Sequence, residues 1–111
     1  FDFIYFGSSF QYLNNVKKIL KSIISSKTKY ILLSGTIIYE DKNKNYFVCE
    51  QLNLSGKKIN LFFYNKSYLI KLFKKYGFKL INLSINKSDK FINFKNFNEK
   101  NIGYYDIFFK R

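Results

Sequence analysis

Proline, histidine, tryptophan and methionine are all missing from these 111 residues, cysteine occurs once, and the only arginine is Arg111. With no imidazole and a single thiol, Cys49, neither a histidine/cysteine metal cluster nor an internal disulfide can be built, which fits a reducing, cytoplasmic setting. Acidic residues are scarce too, seven against 20 basic ones, for a net charge of +13. No apolar run approaches the roughly 18–20 residues needed to cross a bilayer. The sequence therefore predicts a soluble chain that touches a membrane at most peripherally.

A surplus of positive charge ordinarily points to nucleic acid or to an acidic membrane surface. Here Lys, Asn, Ile, Phe and Tyr make up well over half of the chain, and all five have A/T-rich codons, so base composition alone raises the lysine count. The near absence of arginine also removes the guanidinium fork on which bidentate readout of phosphates and guanine edges depends. A dedicated nucleic-acid module is thus disfavoured. Attraction to an anionic acceptor, such as a nucleotide-linked sugar, or contact with acidic lipid are the other uses of such a surface.

What is present is enough hydrophobic residue, 47%, to fill the core of one small domain. The chain opens on Phe1 inside a strand-like run with no cap ahead of it, which reads as the remainder of a longer domain. Phe1 to Phe6 is almost unbroken apolar sequence ending at Gly7-Ser8-Ser9, the pattern of a strand buried on both faces in a parallel sheet. From Tyr12 the period becomes helical: Leu13, Val16, Leu20, Ile23 and Ile24 share a face, while Asn15, Lys18, Lys21 and Ser22 lie off it. Tyr30 to Leu33 is a second short strand closed by Ser34-Gly35, completing a βαβ unit. After a polar interruption at 40–45 comes a small hairpin or irregular excursion around Tyr46 to Cys49, with a turn at Ser55-Gly56-Lys57-Lys58.

Asn65 is placed to cap a second helix with Tyr68, Leu69, Leu72, Phe73 and Tyr76 inward and Gly77 as its stop. Phe78 to Ile85 then reads as a strand, a Lys/Asn-rich loop carries Phe91, Phe94 and Phe97, and Tyr104 to Phe109 is a last strand. No repeat or second domain is visible.

That order resembles the second half of the class I S-adenosylmethionine-dependent methyltransferase fold. The resemblance implies an α/β domain: the C-terminal half of a Rossmann-like seven-stranded sheet, mostly parallel with an antiparallel final strand. Residues 1–111 would be a partial methyltransferase domain, its glycine-rich cofactor loop lying upstream. Tyr104 to Phe109 should slot between the strands at Tyr30 and Phe78, and the bared first strand should make the isolated chain self-associate. Ser8-Ser9-Phe10-Gln11-Tyr12-Leu13, the strand Val48-Cys49-Glu50-Gln51, the pair Gly77-Phe78 and the closing Phe108 to Arg111 are similar, more narrowly, to methyltransferases encoded among bacterial surface-polysaccharide and O-antigen genes. This implies S-adenosyl-L-methionine as cofactor and a small polar acceptor, such as a surface-glycan sugar or its precursor; a non-catalytic remnant and a basic nucleic-acid module are the rival readings.

In open α/β sheets ligands gather outside the carboxyl ends of the strands, which marks Gly7, Ser8, Ser9 and Gln11. The bland alternative is that the glycine and serines only turn the chain and cap the next helix. The resemblance favours Gln11 and Tyr12 as cofactor contacts; otherwise Tyr12 opens the inward helical stripe and Gln11 is a surface side chain. Ser34 and Gly35 close their strand on the same edge, where an acceptor could rest or a strand simply stop. Asp2, at the amino end of its strand, is structural. With histidine absent, a base for a hydroxyl acceptor must be a carboxylate, and Glu40, Asp41 and Glu50 are the candidates; Glu40 and Asp41 also read as a solvated loop, which leaves Glu50 as the catalytic candidate.

Overall fold

The structure is a computed structural model that describes residues 2–40, 44–52, 55–86 and 102–111. Asp41, Phe91, Phe94 and Phe97 lie outside the described residues.

Eight elements follow in order: β1 (Phe3–Gly7), α1 (Val16–Ser25), β2 (Tyr30–Tyr39), β3 (Tyr46–Leu52), β4 (Lys58–Asn65), α2 (Lys66–Lys75), β5 (Lys79–Asn86) and β6 (Ile102–Lys110), with one 3-10 turn, Phe10–Tyr12, between β1 and α1. Local chemistry accounts for the helices. Asn15 and Asn65 each accept a hydrogen bond through the side chain, from the Lys18 and Tyr68 amides, and so cap α1 and α2. Because Asn15 takes that role, α1 starts at Val16 and not at Tyr12. α2 ends in a Schellman motif: Gly77 at φ +92° donates to Lys74 O, Phe78 N donates to Phe73 O, and the Phe73 and Phe78 rings meet edge to face 6.4 Å apart.

The strands join in the order β3-β4-β2-β6-β5, with β1 also pairing β2. β6 is interior, antiparallel to β2 on one side and to β5 on the other, as expected from the resemblance. The expected mostly parallel sheet, however, is corrected. Only β1–β2 and β2–β4 are parallel, the latter over two residue pairs, whereas β2–β6, β3–β4 and β5–β6 are antiparallel. The described residues form a small, mixed, mostly antiparallel six-stranded sheet with two α-helices, not the C-terminal half of a Rossmann-like seven-stranded sheet. Two physical reasons explain the difference. The segment from Tyr46 to Asn65 is a full hairpin, and a short connection can only join antiparallel strands. β4 also meets β2 over only two residue pairs against seven with β3, so the hairpin adds more antiparallel than parallel ladder.

Both helices cover one face of the sheet. Val16, Leu20 and Ile23 of α1 and Leu69, Leu72 and Phe73 of α2 share a core with Ile31, Leu33 and Ile38 of β2 and Ile107 and Phe109 of β6. The alternate residues Ile37 and Tyr39 point the other way, into a smaller core with Leu61 and Phe63. Lower on that second face Phe3 and Tyr5 are 49% and 58% exposed.

β1 has no strand on its outer edge among the described residues, and its sequence FIYFG carries no charge to guard that edge. Edge strands without charge, proline or bulge are templates for pairing. The protein is therefore expected to self-associate through β1, and Tyr5→Lys to weaken this by at least about tenfold, or ~1.4 kcal/mol. Sedimentation equilibrium of the two proteins checks it; a wild-type monomer at high concentration contradicts it.

Candidate functional site

β2 shares one edge between two partners. β1 pairs with it from Tyr30 to Ser34 and β4 at Ile38 and Tyr39, leaving Gly35, Thr36 and Ile37 between the two ladders. On the opposite edge the same stretch carries an irregularity: Leu33 faces Ile107 and Thr36 faces Tyr105, so β2 uses one residue more than β6. This is a β-bulge at Ser34-Gly35, and Gly35 takes φ +58°, a left-handed value that glycine accepts without steric cost. β2 thus runs on past Gly35, where the sequence suggested it would end.

The 3-10 turn packs against β4 and β2. Phe10 anchors it, fully buried against Phe6, Tyr64 and Phe73, and the Tyr64 hydroxyl donates to Leu13 O at 2.9 Å. Burial, and then the neighbouring Tyr68 and Tyr46, push the Tyr64 pKa well above its ordinary value, so this hydroxyl stays a donor throughout the neutral range.

This anchoring decides which residues of the Ser8–Leu13 stretch face inward. Gly7, paired with Ser34, ends β1 beneath the Tyr5 ring, and Ser8 at φ +50° turns the chain while its amide donates to Ser34 O at 2.7 Å. Ser9 accepts from the Tyr12 amide through its backbone oxygen, and its side chain makes no cap bond. Gln11 is only 4% exposed; its Nε2 donates to Ser8 O at 3.1 Å. Its Oε1 is buried with no hydrogen-bond partner among the described residues, and the Thr36 hydroxyl is in the same condition. Tyr12 instead is 45% exposed. The helical-stripe alternative, with Tyr12 inward and Gln11 at the surface, is therefore reversed, because the stretch is a 3-10 turn hung on Phe10 and not the first turn of α1.

The carboxylates fall elsewhere. Glu50 is exposed on the outermost strand β3, 3.7 Å from Lys58 Nζ, and Glu40 holds the Lys66 ammonium at 2.6 Å, a hydrogen bond that raises the Lys66 pKa. Asp106, which sequence reasoning passed over, is the carboxylate tied to the bulge: its Oδ1 accepts from the Gly35 amide at 2.9 Å. The available signal was an acid alone inside the apolar run from Ile102 to Phe109. Cys49 is half-buried and its thiol pKa is raised by that burial, which lowers the thiolate fraction a nucleophile needs. Among the described residues no group of three or more Cys, Asp or Glu gathers as for a metal ion, and no helix is long and apolar enough to cross a membrane.

Comparison with protein-family models, with curated proteins and with solved structures returns no match.

Proposed function

We propose that this chain is part of an S-adenosylmethionine-dependent methyltransferase acting on a small polar acceptor such as a surface-glycan sugar or its precursor, in the cytoplasm. In this reading Gly7, Ser8, Ser9, Gln11 and Tyr12 meet the methionine portion of the cofactor. The observation that carries it is Gln11: a buried amide at the carboxyl end of β1 whose nitrogen is pinned to Ser8 O and whose oxygen lacks a donor among the described residues. Buried acceptors in native proteins are rarely left without a donor, and a ligand ammonium supplies one. Tyr12, next in the chain and exposed, offers an aromatic face and a hydroxyl.

S-adenosylmethionine brings a methyl group on a sulfonium that leaves readily, so positioning of the acceptor is the main task of the protein. The 111 residues contain no Gly-x-Gly turn, and affinity is accordingly expected near millimolar, about 4 kcal/mol of binding free energy. Titration of the isotope-labelled chain with S-adenosylhomocysteine should shift the NMR signals of residues 7–12 and 34–36. Gln11→Ala is expected to weaken binding by about 1–3 kcal/mol, enough to abolish the titration, while leaving the fold intact. Leu13→Ala should act on folding through lost packing. Spectra that ignore the ligand, or an unaffected Gln11→Ala, would count against the assignment.

A further inference from the structure

We infer that Asp106 is the positioning residue of this site, acting through the β2 bulge on Ser8 and Gln11. The contacts form a continuous chain across residues far apart in sequence. Asp106 Oδ1 accepts from the Gly35 amide, 71 residues away, at 2.9 Å. Gly35 in turn is fitted to Ser8, whose Oγ lies 2.6 Å from the place where a Cβ on Gly35 would stand. The neighbouring Ser34 O accepts from the Ser8 amide, and Ser8 O accepts from Gln11 Nε2. That last bond orients the Gln11 amide and so decides where its Oε1, without a partner among the described residues, points.

A hydrogen bond to a charged acceptor is roughly twice as strong as one between neutral groups. Gly35 is where such a clamp matters. The residue sits between the β1 and β4 ladders, so the outer edge of β2 lends it no strand partner, and without a Cβ its backbone has wide conformational freedom. Asp106 closes the bulge from the β6 side, and the bulge presents Ser34 O and the Gly35 surface to Ser8. The carboxylate need not touch a ligand to set the geometry of the residues that would. This inference rests on the cofactor reading of Gln11 for its functional meaning, and on the contact chain alone for its structural content.

The test compares Asp106→Ala and Asp106→Asn with wild type in the full chain, by NMR and by S-adenosylhomocysteine titration. In Asp106→Ala the Gly35 amide should lose at least about tenfold of its hydrogen-exchange protection, and the Ser8 amide and the Gln11 side-chain NH2 signals should move with it. Asp106→Asn, which keeps an acceptor of the same shape, should restore protection in large part and hold ligand affinity within about threefold, while Asp106→Ala loses about tenfold or more. If Asp106→Ala does not fold, Asp106→Asn carries the test: the weaker acceptor should shift Gly35, with Ser8 and Gln11 following. An unmoved Gly35, or a Gly35 that moves while Ser8 and Gln11 stay put, overturns the inference. A wild type that binds ligand and an Asp106→Ala that binds equally well overturns it too and leaves the functional reading standing. A wild type that does not bind removes the functional reading, and the NMR comparison still decides the positioning.

Discussion

Phe73→Ala is expected to cost about 3–5 kcal/mol of folding stability, a large share of what a small domain has. Phe73 is fully buried and joins three parts of the molecule: its ring stacks on Phe109 of β6 at 4.1 Å, meets Phe78 at the Schellman turn, and touches Phe10 of the 3-10 turn at 6.1 Å. Removing it leaves a cavity lined by three aromatic rings that α2 and the sheet can close only in part. Ile81→Ala is the control, because Ile81 on β5 is more than half exposed and its loss should cost under about 1 kcal/mol. Equilibrium urea unfolding of both variants, followed by circular dichroism, checks the contrast. Similar midpoints for the two would show that the first core is not organised around Phe73. A second readout is available, since loss of Phe73 loosens Phe10 and should shift the Gln11 side-chain signals.

The second large effect concerns the bulge. Gly35→Val should destabilise by about 3 kcal/mol, combining ~1–2 kcal/mol for a left-handed residue with ~1–3 kcal/mol for over-packing against Ser8. Gly35→Ala separates the two contributions. Its Cβ would stand 2.6 Å from Ser8 Oγ, which a rotation of the Ser8 side chain can relieve, while the Ser8 Cβ and Cα remain at ordinary contact distances of 3.6 and 3.8 Å. Gly56→Ala is the reference for backbone strain alone, since Gly56 has φ +80° and nothing within 4 Å of the added atom. The excess of Gly35→Ala over Gly56→Ala should shrink when Ser8→Ala is combined with it, because the clashing oxygen is gone. A double-mutant cycle in urea measures that coupling; a value within about 0.3–0.5 kcal/mol of zero would mean that Gly35 and Ser8 do not constrain each other.

What could be read in advance divides by distance along the chain. Asn65 and Gly77 bracket α2 as expected, because a cap and a left-handed stop act within four or five residues of themselves. Asn15 caps α1, yet the sequence pattern puts it inside the helix, since Leu13 is in phase with the apolar stripe that begins at Val16. The Gly7–Tyr12 stretch was marked as a group, yet which of Gln11 and Tyr12 faces inward depends on Phe10 reaching Tyr64 and Phe73, residues beyond any local window. Asp106 escaped notice because its partner, the Gly35 amide, is a backbone group that leaves no mark in the sequence.

By itself, then, the amino-acid order determined α2 with its cap and stop, the apolar face of α1, the turn at Ser55-Gly56, the apolar runs that became β1, β2 and β6, and the exclusion of histidine and disulfide chemistry. The parallel β1–β2 pair and the interior, antiparallel β6 match the βαβ order and the resemblance, whereas only the tertiary structure decided that β3 and β4 form an antiparallel hairpin seated on the edge of β2. An apolar run buries equally well in parallel or antiparallel company, and the choice falls to the length of the connections and to the competition of β1 and β4 for one edge of β2. The same competition leaves Gly35 and Thr36 between two ladders and brings Ser8, Gln11 and Asp106 toward one bulge, a meeting of residues whose spacing in the chain holds no trace of it.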